Sequence, residues 1–119
     1  VLDMIARVKR DGYTVKRIRS DREFLTTAIS KINSVDLAPM PAYSKNYVSI
    51  AERQNRSLQD MTRSMLKHAH MPDMMWGECY EHAIYLKNRL PTRGNNEEKT
   101  PYELYKKQQP RLQHIRTFG

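Results

Sequence analysis

Ser49-Ile50-Ala51-Glu52-Arg53-Gln54-Asn55-Arg56-Ser57-Leu58-Gln59-Asp60-Met61-Thr62-Arg63-Ser64-Met65 is the stretch on which the reading of this 119-residue chain turns. Ala51, Leu58, Met61, Met65 and then Ala69 recur at helical spacing, which predicts a long amphipathic helix starting near Ser49 and stopped by Pro72. Glu52 then falls in the first turn, where two readings compete. Ser49-x-x-Glu52 has the form of a capping box, with the carboxylate turned back to a backbone N–H. Alternatively, Glu52 is a working carboxylate. Positions 52, 56, 59 and 63 share one helical face, so Arg56, Gln59 and Arg63 line up beyond it. Arginines bind phosphates bidentately, and an amide can reach a base or sugar. The plain alternative is a solvated polar face.

Upstream, Leu2, Ile5 and Val8 predict a short amphipathic helix that Asp11-Gly12 breaks. Tyr13 to Arg19 is rich in residues that favour a strand. Asp21 lies just past its carboxyl end, where α/β sheets gather ligands, although aspartate also commonly starts turns there. Phe24 to Ile32 has a helical apolar face. Asp36 to Asn46, with Pro39 and Pro41, reads as a loop.

Downstream, Asp73 is the expected N-cap of a helix whose core stripe is Trp76, Tyr80, Ala83, Leu86 and Leu90, ended by Pro91. Met74 and Met75 read as gap-fillers, Cys79 as a buried thiol, and His68 and His70 as helix-end cations rather than metal ligands. Thr100-Pro101-Tyr102-Glu103 has the form of a capping box with proline at the first helical position.

The composition narrows the classes. A net charge of +8, spread over both halves, points to a polyanion, with nucleic acid ahead of an anionic membrane. One cysteine excludes a disulfide framework and gives the histidines no thiolate partners for a zinc finger. No apolar run approaches the ~20 residues of a membrane span. A mean hydropathy of −0.81 suits a small domain or part of a larger one. The start, Val1-Leu2-Asp3-Met4, has no signal-peptide character and predicts a piece of a longer chain.

Several elements resemble copia-type retrotransposon integrases in the same order along the chain. They are Arg19-Ser20-Asp21-x-Glu23-Phe24, Ala38-Pro39, Ile50-Ala51-Glu52-Arg53-x-Asn55-Arg56-x-Leu58, Arg63-Ser64-Met65-Leu66, Trp76-Gly77-Glu78, Tyr85-Leu86-x-Asn88-Arg89-x-Pro91, Thr100-Pro101-Tyr102-Glu103 and Phe118-Gly119. The resemblance covers the chain from about Tyr13 onward. It implies an α/β fold, the helix-rich carboxyl-terminal part of an RNase H-like core, with residues 1–110 as partial catalytic core and 111–119 as the start of a linker.

By position, Asp21 and Glu52 match the second and third members of an Asp, Asp, Glu triad that holds Mg²⁺ or Mn²⁺. Arg53, Arg56, Gln59 and Arg63 are the implied nucleic-acid contacts. The implied reaction is DNA integration by 3′ processing and strand transfer. Element ends and target DNA are the implied partners, with a homo-oligomer left open and a nuclear or cytoplasmic setting. The sequence also departs from the family. Nothing in it matches the first aspartate, because Asp3 and Asp11 lie in helical and turn contexts. Arg22 replaces the Asn-Gly-Gly turn after Asp21, and its guanidinium is expected to compete with a metal for that carboxylate. A degenerate copy is therefore expected, with a basic, non-enzymatic nucleic-acid-binding remnant as the alternative.

Overall fold

A computed structural model describes residues 2–20, 35–39, 45–95 and 98–119. The chain is mixed α/β and helix-rich. It divides into two compact units, Val1–Ser49 and Ile50–Gly119.

In the first unit, helix α1 (Leu2–Arg10) buries Ile5, leaving Leu2 and Met4 exposed. Its end shows why Asp11-Gly12 breaks it. Gly12 takes φ 85°, the Tyr13 N–H reaches the Val8 carbonyl at 3.1 Å, and the Gly12 N–H reaches Lys9 at 3.0 Å. This is the Schellman closure, which needs a left-handed residue and so favours glycine.

The closure consumes Tyr13, which delays the expected strand. Strand β1 spans Arg17–Ser20 and pairs in parallel with β2 (Asp36–Pro39). The first 4 residues of the expected 36–46 loop are therefore strand. Pro39 is tolerated because β2 is an edge strand of the two-stranded sheet among the described residues. Arg17 and Asp36 are register partners, and Arg17 Nε donates to Asp36 Oδ2 at 2.6 Å across the pair. Both side chains are 55% exposed, so this ion pair adds at most about 1 kcal/mol. The helix expected over 24–32 lies outside the described residues.

Helix α2 (Lys45–Ala69) carries the chain into the second unit. It is followed by a 3₁₀ turn (Asp73–Met75), α3 (Trp76–Lys87) and α4 (Pro101–Lys106). Helices α2 and α3 run antiparallel. The Cys79 thiol donates to the Thr62 carbonyl at 3.5 Å, and Lys87 Nζ donates to Ser57 Oγ at 2.6 Å, so moving up α3 is moving down α2. The core at this crossing is Thr62, Leu66, Cys79 and Ala83. The expected stripes are therefore rotated. On α2, Leu58, Met61, Met65 and Ala69 are only half-buried and Ala51 is exposed.

The Thr62 hydroxyl enters the core because it donates to the Leu58 carbonyl at 2.8 Å and so is not left unsatisfied. Trp76 is 44% exposed and Met74 85%, which overturns their assignment to the core. Trp76 opens α3, before the helices cross, and its indole stacks on Tyr80 at 4.8 Å instead. Asp73 is not an N-cap either. It is the first residue of the 3₁₀ turn, capped by Pro72 without a side-chain bond.

Candidate nucleic-acid interface

Helix α2 starts at Lys45, four residues before the expected position. Ser49 is thus helix interior, where backbone N–H groups are already paired within the helix. The capping-box reading of Glu52 falls with it. Glu52 is exposed, and among the described residues its carboxylate takes part in no hydrogen bond or ion pair.

Arg53 and Arg56 come together along an open groove of about 610 Å³, with Ser57, Asp60, Met61 and Ser64 on the same helix and Leu86 on α3. Gln59 and Arg63 lie outside that groove. Gln59 is exposed, whereas Arg63 borders a different cavity and makes a 3.4 Å contact with Asp60. The expected face of 52, 56, 59 and 63 is thus split. Arg53 and Arg56 line a concave surface, and Arg63 serves another. Asp60 was not foreseen, and it places a carboxylate between the two sets. Asp21 follows the last residue of β1 and lies outside the described residues. Among the described residues, no three His, Cys, Asp or Glu side chains gather in a way that could hold a metal.

The far side of the hairpin is built by the other ordered motifs. Arg89 lays its guanidinium carbon 3.6 Å from the Tyr85 ring centre and 4.9 Å from that of Tyr102, and donates to the Tyr85 carbonyl at 3.1 Å. The Tyr102 N–H donates to the Asn88 carbonyl at 2.9 Å, so α4 is tied to the end of α3. The capping box of α4 forms as expected. Glu103 N–H donates to Thr100 Oγ1 at 3.1 Å, and Thr100 N–H donates to Glu103 Oε2 at 2.9 Å. The Thr100 backbone N–H, then its hydroxyl, hold the Glu103 carboxyl below its ordinary range.

Beyond α4, the tail returns to the hairpin. His82 Nε2 lies 3.1 Å from the Arg116 carbonyl, which makes that nitrogen the donor, and Phe118 sits 5.8 Å from the imidazole. Cys79 is fully buried, as expected, and burial pushes its thiol up, partly offset by the Leu66 backbone.

The chain as a whole is similar to known proteins. The chain is 31% identical, over 96% of its length, to the retrovirus-related Pol polyprotein from transposon TNT 1-94 of Nicotiana tabacum. It is 29% identical, over 66% of its length, to those from transposons RE2 and RE1 of Arabidopsis thaliana. It spans only 9% of the tobacco protein and 5% of each Arabidopsis one. No family profile matches the chain, and neither does any solved structure. Similarity that runs through nearly the whole chain, over the elements that build the α2–α3 hairpin and its α4 brace, makes this chain a member of the retrovirus-related Pol polyproteins of transposons, the copia-type kind its sequence resembles.

Proposed function

We propose that this chain is part of a transposon integrase core of RNase H-like fold, and that α2 is its DNA-contacting element. The observation that carries the reading is the setting of Glu52. An exposed carboxylate in the interior of a long helix has no capping role, and it stands beside two arginines that line a concave groove. Guanidinium groups in such a groove suit a phosphodiester backbone, whose oxygens they bind in pairs. A net charge of +8 favours the approach of DNA.

In this reading Asp21 and Glu52 are the acidic residues of the centre, and Mg²⁺ or Mn²⁺ is the ion they would share with further ligands. A parallel strand pair supports the place given to Asp21, since ligands gather at the carboxyl ends of such strands. The described residues alone do not compose that centre. Element ends and target DNA are the proposed partners, and a homo-oligomer the proposed assembly. No helix among the described residues is long and apolar enough to cross a membrane.

Filter binding of duplex DNA across a salt series, with nicking measured in Mg²⁺, tests the proposal. Each lost phosphate contact lowers the salt slope by about 0.9, so the Arg53→Ala, Arg56→Ala double variant is expected to lose roughly 2. Glu52→Gln is expected to bind as tightly or more tightly, and to abolish any nicking. Salt-dependent binding without nicking by any variant would favour a non-enzymatic nucleic-acid-binding role. Binding indifferent to salt and to both arginines would sink both.

A further inference from the structure

The second unit holds another concave site, lower on α2. A cavity of about 620 Å³ is bordered by Arg63, Lys67 and His70 from α2 and its closing turn, and by Asp73 and Trp76 from the start of the next segment. Its chemistry differs from that of the Arg53–Arg56 groove in one respect, because it pairs basic groups with an aromatic platform. The indole of Trp76 is 44% exposed although Tyr80 covers one side of it, with the rings only 18° from parallel.

Such a stack holds the indole in place at little entropic cost to a ligand. The basic groups are also available. Arg63 is 67% exposed, and its contact with Asp60 is a long, solvated pair worth little, so a phosphate can replace it.

His70 helps to shape the site. It closes α2 in the left-handed conformation, φ 51°, with its N–H on the Lys67 carbonyl at 3.3 Å and the Met71 N–H on Leu66 at 3.1 Å. This Schellman closure is made here without glycine, at a residue type that tolerates the conformation better than most. The reversal brings the chain back so that Asp73 and Trp76 face the last turns of α2 across the cavity.

We infer that this cavity is a subsite for an unpaired nucleotide, with the base stacked on Trp76 and the flanking phosphates on Arg63 and Lys67. Duplex DNA hides its base faces, whereas a single strand offers both a face and a phosphate run, the combination that aromatic and basic side chains recognise together. Asp73 adds one acceptor at the rim, which suits a base with an exocyclic amino group. The inference rests on the reading that the chain binds nucleic acid, and it adds the kind of strand and the place.

Trp76 is the single tryptophan of the chain, so its own fluorescence reports on the site. Titrating the 119-residue chain with a single-stranded oligonucleotide of about eight nucleotides, within the range such grooves accommodate, is expected to quench the emission saturably and less at higher salt. The Arg63→Ala, Lys67→Ala variant should need more oligonucleotide to reach the same quench. In anisotropy with a labelled strand, Trp76→Leu should bind roughly ten- to a hundredfold more weakly. The exposed position of Trp76 makes this substitution mild for folding.

Two results would overturn the subsite. One is anisotropy showing binding that is lost in the Arg53, Arg56 variant while the wild-type emission stays unchanged, which leaves the Proposed function standing. The other is emission that shifts with protein concentration in the absence of DNA, which would mean that a second copy of the chain covers Trp76. If neither single-stranded nor duplex DNA binds, both readings fall together.

Discussion

The thiol of Cys79 on α3 donates to the main-chain carbonyl of Thr62 on α2 at 3.5 Å, and neither residue is reached by solvent. Small side chains at this point let the two helices approach closely enough for a side chain to bond a backbone. The hairpin that supports both candidate surfaces is organised around that contact.

Cys79 is therefore expected to be inert in the folded chain. Reaction requires the thiolate, and burial both raises the thiol and excludes reagent. Modification by a thiol-specific reagent, followed with and without urea, should proceed only as fast as the hairpin opens. Rapid labelling under native conditions would contradict the packing described. Cys79→Leu should cost about 1–3 kcal/mol by overpacking, measured by urea denaturation.

The capping box on α4 predicts both a magnitude and a pH dependence. Thr100→Ala removes the acceptor for the Glu103 N–H at a nearly buried position and should cost about 1 kcal/mol. Because the folded chain holds the Glu103 carboxyl below its ordinary range, its contribution is present above the unfolded value. That contribution is lost as pH falls through the lowered folded value. Urea midpoints recorded from neutral pH down through the carboxylate range should show this loss, and Glu103→Gln should remove that part of the slope.

Arg89 is expected to resist conservative replacement. Its planar guanidinium lies against Tyr85 and Tyr102 and bonds the Tyr85 carbonyl, whereas a lysine ammonium can neither stack nor fork. Arg89→Lys should lower stability by about 1 kcal/mol, with Arg89→Ala costing more. Equal stability of the lysine variant would show that the charge alone matters.

The tail offers a close-contact test. A Cβ added at Gly119 would lie 2.5 Å from the Cβ of Ala69, and Gly119 has φ 98°, which L side chains rarely adopt. Gly119→Ala should loosen the tail from the hairpin. Limited proteolysis at Arg111 and Arg116 should then quicken while the α2–α3 hairpin stays protected in hydrogen exchange. Unchanged cleavage would mean that the Arg116–His82 and Phe118–His82 contacts hold without it.

Much of the local structure was legible in the residues. The break at Asp11-Gly12 and the Thr100–Glu103 cap follow from chemistry within a few positions, and each forms as read. Helix α2 ends at Ala69, just short of the expected stop at Pro72, because His70 makes the closing turn. Cys79 is buried as expected, but by its contact with Thr62 on the neighbouring helix. Two further differences come from partners that are distant in sequence. Asp36–Pro39 reads as loop because Pro39 and the nearby Pro41 dominate the stretch, yet it becomes strand by pairing with Arg17–Ser20. Apolar periodicity puts the α2 stripe on Ala51, Leu58, Met61, Met65 and Ala69, while the contact with α3 falls on Thr62, a residue whose hydroxyl is satisfied locally and whose small size suits the crossing.

The candidate site followed the same division. That α2 is a long helix bearing Glu52 and several arginines is written in residues 49–65, and so is the ordered set of motifs that ties the chain to transposon Pol polyproteins. Which arginines share a surface was decided by tertiary structure. Helical periodicity places residues around an axis, but only the packing of α3 against α2 determines which angles become concave. That packing put Arg53 and Arg56 in one groove, gave Arg63 to another beside Trp76, and left the tryptophan at the surface.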